Sequence, residues 1–343
     1  MAEPQIKDNQ SAYKKLLQSL APYRNPRISS ALWQLLNSLI PYTMLWVLMI
    51  FSMKNGYSYW ITLGLSVVAA GFLVRIFIIF HDCCHGSFFG SKKANRILGY
   101  ITGVLTFTAY RNWRRAHLVH HATSGDLDHR GVGDVWMLTV AEYTAAPPWK
   151  RLSYRFYRNP FVMFGLGPAF TFFINQRYYR KDARKSERRN VIATNVAILL
   201  LAIGLSLAIG FKTYLLIQLP VMLIGGLFGV WLFYVQHQFE GTYWSRQENW
   251  DPLKASLEGS SYYKLPKILK WFSGNIGLHH IHHIDSSIPN YNLQRCYDEI
   301  PIFQEITPLT IRRSLKSLRL RLWDEERREL VGLSALRRPV TAP

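Results

Sequence analysis

Residues 160–174, PFVMFGLGPAFTFFI, decide between four and five membrane crossings. The run is apolar and uncharged. At 1.5 Å per residue, however, it falls short of the ~20 residues that span a ~30 Å hydrocarbon core, and Gly165, Gly167 and Pro168 interrupt it. Four longer runs surround it. Residues 31–53, ALWQLLNSLIPYTMLWVLMIFSM, carry no charge before Lys54, and Pro41 is tolerated in a membrane helix. Residues 59–80, YWITLGLSVVAAGFLVRIFIIF, are apolar except for Arg75, which is placed to snorkel or to face the bundle. Residues 191–210 and 213–236 are equally long and apolar. Histidines cluster at 81–85 (HDCCH), 117–121 (HLVHH) and 279–283 (HHIHH). If 160–174 crossed, the third cluster would face the opposite side from the first two. Clusters built for one site must share a side, so 160–174 is expected to lie in the interface or to dip in and return. The expectation is an all-α integral membrane protein with four transmembrane helices in two hairpins, a cytoplasmic histidine-rich cap and interfacial helices.

Charge supports this count. The net charge is +20, and basic residues crowd 177–189 and the region around Arg312, Arg313, Lys316, Arg319 and Arg321, whereas the expected outer loops hold only Lys54 and Lys212. By the positive-inside rule, both termini and all three clusters fall in the cytoplasm. Long apolar runs with Trp and Tyr near their ends point the basic excess toward a membrane and away from nucleic acid. Cys83, Cys84 and Cys296 make no disulfide framework, which fits a reducing compartment. No secretory signal pattern precedes the first run.

One domain over 1–343 is expected. Residues 1–30 form a cytoplasmic or interfacial N-terminus, in which Tyr13, Leu16, Leu17 and Leu20 outline a surface helix or a helix lying on the membrane. A first hairpin (31–80) leads to a cytoplasmic region (81–190) with two histidine clusters. That region includes 97–109, apolar but too short to span, as an interfacial or re-entrant segment. A second hairpin (191–236) leads to a cytoplasmic region (237–343) with the third cluster. There, Thr307-Pro308 reads as a helix start, and Ile311, Leu315, Leu318 and Leu322 recur at helical spacing as a packing face or a redox-partner face.

Residues i, i+3 and i+4 share a helix face. His81 and His85; His117, His120 and His121; and His279, His282 and His283 have that spacing, so each cluster can present two or three imidazoles to one point. His280 lies off that face. Imidazole suits Zn, Cu, Fe and Ni. Eight such ligands exceed what one four-coordinate zinc takes, and two metals sharing a site is the economical reading. No H-E-x-x-H zinc-protease pattern occurs. Redox iron at a membrane surface fits an all-histidine, oxygen-activating centre best. A histidine-rich metal transporter would carry ionisable residues at mid-membrane, where this chain holds little beyond Arg75.

HDCCH, HLVHH and HHIHH, in this order and with two intervening hairpins, resemble the three histidine boxes of integral-membrane fatty acid desaturases. The resemblance runs over roughly residues 12–330. RNWRRAHLVHHATSGDLD, WLFYVQHQFEGTYW and NIGLHHIHHID are similar to stretches of bacterial and plastid-type omega-6 (Δ12) acyl-lipid desaturases. The resemblance implies two Fe ions, O2 as co-substrate, and electrons from a separate ferredoxin-like or cytochrome donor. It also implies an acyl-lipid substrate that gains a cis double bond, and a multi-pass protein of a bacterial inner membrane. It carries the metal-ligand role to His81, His85, His117, His120, His121, His279, His282 and His283, with His237 as a ninth ligand. Relatives commonly have Gly where this chain has Cys84, so a side chain must fit there. Metal-bound imidazoles usually donate their second N–H to a carboxylate or carbonyl; Asp82, Asp126, Asp128, Glu240 and Asp285 are candidates for that role. Asn275 is a candidate for holding a metal-bound water or for a cap. His129 reads as a loop residue. Arg114 and Arg115 suit lipid phosphate, an acidic donor, or a plain positive-inside pair. The boxes alone leave open a related hydroxylase, conjugase or carotenoid oxygenase.

Overall fold

The structure is a computed structural model that describes residues 13–337; the remainder of the expected 1–30 segment and the last six residues lie outside the described residues. Helices α1 (Ile28–Lys54) and α2 (Tyr59–His85) form the first hairpin. Two shorter helices follow, α3 (Lys92–Leu105) and α4 (Tyr110–Thr123), and then the second hairpin, α5 (Lys185–Ile209) and α6 (Phe211–His237). A one-turn-and-a-half helix, α7 (His279–Ile284), carries the last histidine cluster. Among the described residues, α1, α2, α5 and α6 are the helices long and apolar enough to cross a membrane.

Helix α2 is the central element. Of its most apolar stretch 61% is buried, against 6% for α5. Tyr42 and Met49 of α1, Ala69, Phe72, Leu73 and Ile76 of α2, and Ile217, Val221 and Met222 of α6 make one cluster. In lipid there is no hydrophobic drive between helices, and association rests on close packing at small residues. Gly225 serves that purpose: a Cβ there would stand 3.1 Å from Leu73 Cδ2. The outward stripe of α1, Leu32, Leu36, Ile40, Met44, Leu48 and Phe51, stays exposed, as a lipid-facing helix requires. Arg75 faces the bundle. It is buried, its Nε donates to Ser38 Oγ at 3.1 Å, a guanidinium N–H donates to the Trp271 carbonyl, and the guanidinium lies 4.0 Å over the Trp271 ring. It thereby ties α1 and α2 to the polar cap.

Residues 160–174 are helical but irregular, with π-helical stretches Phe161–Leu166 and Phe170–Ile174 flanking Gly167–Ala169. The segment lies against α6, where a Cβ at Gly226 would meet Pro168 Cβ at 2.9 Å, and it leaves Phe161, Leu166 and Phe170 exposed. It is not one of the four candidate spans. The short 97–109 run falls mostly within α3, itself only 14 residues long.

Of the two readings of the N-terminal stretch, the surface helix agrees with the structure: residues 13–19 are helical, and Tyr13, Leu16, Leu17 and Leu20 pack on Ile276, Leu278, Ile281 and Ile284 beneath the third histidine cluster. One region differs from the sequence reading. The helix expected at Thr307-Pro308 begins instead at Ile311, capped by the Thr310 side chain accepting from Arg313 N; it is α-helical to Ser314 and continues as 3-10 helix to Arg319. Strand pairing bounds it on both sides. Leu309–Thr310 (β3) pairs in parallel with Tyr263–Lys264 (β2). Leu322–Asp324 (β4) lies between Leu138–Thr139 (β1) and Glu329–Val331 (β5). Ile311 and Leu315 are exposed and Leu322 is buried in β4, so no continuous packing face forms.

Four crossings put the α1–α2 turn on one side and the loop before α5 on the other. A single cysteine at Lys54 should react with an impermeant maleimide from one side of a sealed vesicle and one at Lys181 only from the other; labelling of both from the same side would refute the four-span arrangement.

Candidate metal centre

Helix termini deliver the histidines. Gly86, at φ +80°, ends α2 directly after His85, a backbone conformation that glycine adopts without strain. His81 and His85 thus sit on the last turn of a membrane helix, and His237 is the final residue of α6. Helix α4 contributes His117, His120 and His121, and α7 contributes His279, His282 and His283.

Nine imidazoles fall into two groups that could each hold a metal ion: His81, His85, His117, His121 and His282; and His120, His237, His279 and His283. Within each group the ligand nitrogens lie within 4.8 Å of one another. The sequence reading sent each cluster to one point. The structure instead splits α4 and α7 between two points: His120 turns away from His117 and His121, and His282 away from His279 and His283.

His120 Nδ1 faces the Asp134 carboxylate at 2.6 Å, and His237 Nδ1 faces the Gly259 carbonyl at 3.2 Å. Both partners only accept, so each Nδ1 carries a proton and each Nε2 is left to face the other rings. Those two Nε2 atoms are 3.1 Å apart, and His279 Nε2 is 3.0 Å from that of His237. In the first group, His121 Nε2 is 3.1 Å from His117 Nε2 and 3.0 Å from His282 Nε2. His237 Nε2 and His121 Nε2 each meet two other ring nitrogens, and an N–H···N bond can satisfy only one contact of each; a metal ion among them would take the lone pairs that remain. Protonation is no remedy: burial, and then the neighbouring imidazoles, push His117, His121, His279, His282 and His283 well below the ordinary histidine range. Both ring nitrogens of His85, together with His279 Nδ1 and His283 Nε2, are buried without a protein partner. Neutral, convergent and unsatisfied imidazoles fit a metal pair.

Two carboxylates orient rings. Asp82 Oδ1 lies 3.2 Å from His81 Nδ1, while its Oδ2 accepts from Asn290 N at 2.7 Å and Nδ2 at 2.8 Å. Asp134, which no sequence motif singles out, does the same for His120 from a loop held by Gly131 N donating to its Oδ2 at 3.2 Å. The other candidates have different partners. Asp285 pairs with Arg24 at 2.5 Å, Asp126 with His129 at 2.7 Å, Asp128 with Arg246 at 2.7 Å, and Glu240 with Lys316 at 3.3 Å. Asn275 has φ +59° and donates to the Asn290 carbonyl at 3.1 Å. His280 belongs to neither group and packs between Tyr262 and Phe303, at 5.9 and 5.6 Å between ring centroids. Arg114 Nε donates to the Cys84 carbonyl at 2.6 Å, and Arg115 pairs with Asp182 at 2.8 Å and Glu187 at 3.1 Å. Cys84 is accommodated in a core of Ala31, Ile79, Phe80, Phe88 and Tyr110.

A cavity of about 640 Å³ opens between α2, α4, α6 and residues 171–180. It reaches His81, His117 and His279, and Phe77, Val74, Trp113, Met222 and Phe233 line its apolar course. Trp113 stacks on His117 at 4.3 Å between centroids. The arrangement can present an apolar chain edge-on to two metal-binding groups.

Residues 58–308 match the family model described as fatty acid desaturase. A fatty acid desaturase of Bacillus subtilis (strain 168) is 50% identical over 96% of this chain and 94% of its own length. An sn-1 oleoyl-lipid 12-desaturase of Synechocystis sp. is 24% identical over 70% of this chain and 67% of its own. An sn-1 acyl-lipid omega-3 desaturase (ferredoxin) of the same organism is 26% identical over 67% and 65%.

Removing a carboxylate that orients a metal-bound histidine typically costs 10–100-fold in metal affinity. Asp134→Ala should therefore weaken metal retention by roughly that factor in a chelator titration read by elemental analysis, while Asp285→Ala should leave it within about twofold.

Proposed function

The chain belongs to the fatty acid desaturase family and is a membrane enzyme of that family, and on that premise we propose that it is a di-iron, O2-dependent acyl-lipid desaturase forming a cis double bond. The observation that carries the iron reading is the pair of all-imidazole groups beside one apolar cavity. Zinc would not supply redox chemistry, and a blue-copper site would take a cysteine among its ligands; Cys83 and Cys84 are buried and belong to neither group. The proposed ligands are His81, His85, His117, His121 and His282 for one iron and His120, His237, His279 and His283 for the other. Two irons, when bound, would supply the O2-derived oxidant that breaks an unactivated C–H bond, which protein acids and bases cannot do.

The chain's own residues do the rest. The cavity aligns an acyl chain past His81, His117 and His279, and placement relative to the two groups selects which carbons react. Trp113 and Phe77 hold the chain against the groups and keep water away. Asp82 and Asp134 hold His81 and His120 with Nδ1 protonated, so that Nε2 remains free to ligate. A single domain (1–343) with the cap on the cytoplasmic side accords with the basic 177–189 stretch, and electrons come from a separate ferredoxin-like or cytochrome protein. An omega-6/Δ12-type position for the bond rests on the similarity of the box stretches and on the 12-desaturase relative; the omega-3 relative at 26% identity names the competing outcome.

Expression in a host without polyunsaturated lipids should yield a new cis double bond, located by mass spectrometry of derivatised acyl chains. A hydroxylated product, or none from an iron-loaded protein with a competent donor, would overturn the reading. His282→Ala should lose about half of the iron or more and all turnover, whereas His129→Ala should keep both.

A further inference from the structure

The two groups are not equally sealed. All four histidines of the second group are buried, whereas His85 and His121 of the first are only half-buried. The centre therefore comes nearest to solvent at the end of α2 and on one face of α4. Around that point Gly86, Leu118 and Ala122 are exposed, Leu118 to 38%.

Helix α4 keeps its two functions on separate faces. Asn112, Trp113, Ala116 and His117 line the apolar cavity, while Arg114, Leu118 and Ala122 recur at i, i+4 and i+8 on the solvent side. Access to the first group from this side leaves the cavity open. The neighbouring segment is strongly one-signed: residues 83–125 contain Lys92, Lys93, Arg96, Arg111, Arg114 and Arg115 and no Asp or Glu. Asn95 Nδ2 donates to the Gly86 carbonyl at 3.1 Å, which fixes the start of α3 beside the end of α2. Lys92, Lys93 and Arg96 are exposed there and, among the described residues, have no ion-pair partner. Arg114 is exposed as well, although its Nε is engaged by the Cys84 carbonyl.

Resting on the di-iron reading above, we propose that this patch, apolar at Leu118 and Ala122 and ringed by Lys92, Lys93, Arg96 and Arg114, is where an acidic one-electron carrier protein docks to reduce the iron pair through the His85/His121 edge. Cations ringing a small apolar centre steer an oppositely charged protein and fix its register. Each encounter passes one electron from the reduced carrier. Two encounters supply two electrons, which with two protons from solvent and the two hydrogens leaving the chain reduce one O2 to two waters.

The test uses the full-length, iron-loaded enzyme in vesicles of neutral lipid with a reduced, acidic ferredoxin as donor. Lys92→Glu combined with Lys93→Glu should raise the half-saturating ferredoxin concentration about tenfold or more and flatten its dependence on ionic strength. Iron content, turnover at saturating donor and reduction by photogenerated deazaflavin should stay within about twofold. Arg312→Glu with Arg319→Glu should leave ferredoxin saturation unchanged. Equal saturation curves for the Lys92/Lys93 variant and the unmodified enzyme would overturn the docking site, as would a response that appears only when anionic lipid is added, which would assign the patch to headgroups. Iron-loaded, unmodified enzyme that neither deazaflavin nor ferredoxin reduces would instead sink the di-iron reading on which the site rests.

Discussion

Convergence of imidazole nitrogens governs this molecule. Nitrogens from three separate helices, α4, α6 and α7, are brought to about 3 Å of one another, in an interior where burial disfavours protonation of His117, His121, His279 and His282. Each neutral ring has one N–H to give, so a nitrogen that meets two others is satisfied by only one of them, and a metal ion would take the lone pairs left over. The surrounding structure holds the rings in this arrangement. It does so by fixing the far side of the rings: Asp134, Asp82 and the Gly259 carbonyl each occupy an Nδ1. Asp82 is in turn held by two hydrogen bonds from Asn290, which follows the third cluster in the chain. That residue links the first and third clusters through a single carboxylate.

The membrane helices act as rulers for this centre. His81 and His85 extend α2, and His237 ends α6, so the depth of both groups follows from where two packed spans stop. Gly225 lets α6 approach Leu73 of α2, and the cluster shared by α1, α2 and α6 fixes their relative height. Arg75 adds a polar tie between the span and Trp271 of the cap. Beneath the third cluster, Tyr13, Leu16, Leu17 and Leu20 supply the apolar support that α7, only six residues long, cannot supply for itself.

Much of this was legible in the residues, for physical reasons. Uncharged runs of about 20 residues admit few readings besides a span, and histidines at i, i+3 and i+4 must share a neighbourhood. The division of those histidines between two groups was not legible. Consecutive positions on α4 and α7 differ by about 100°, and which imidazole joins which group depends on where the facing helices sit. Asp134 was missed because it belongs to a loop 14 residues from the ring it holds; only the fold brings it there. The stretch after Pro308 misled because its apolar period is helical while its hydrogen-bonding partners, Tyr263–Lys264 and Leu138–Thr139, are remote in sequence. Asp285 was misassigned by proximity to the third cluster, since its side chain turns to Arg24.

The irregular segment at 160–174 acquires a purpose from its position. A regular span there would place an ordinary helix beside α6. The π-helical stretches and Pro168 instead let Phe172 press on Gly226 while Thr171, Asn175 and Gln176 turn to the cavity. One wall of the cavity is thus built from a non-spanning segment, and the opposite wall from spans fixed in depth. The imidazole groups set which chemistry is available. On the proposed reading, how far an acyl chain travels past them would be set by Leu73, Met222 and the contact of Gly226 with Pro168 and Phe172. On that reading, two chains with the same histidines could act at different positions, because the residues that would place the acyl chain are not those that would hold the metals.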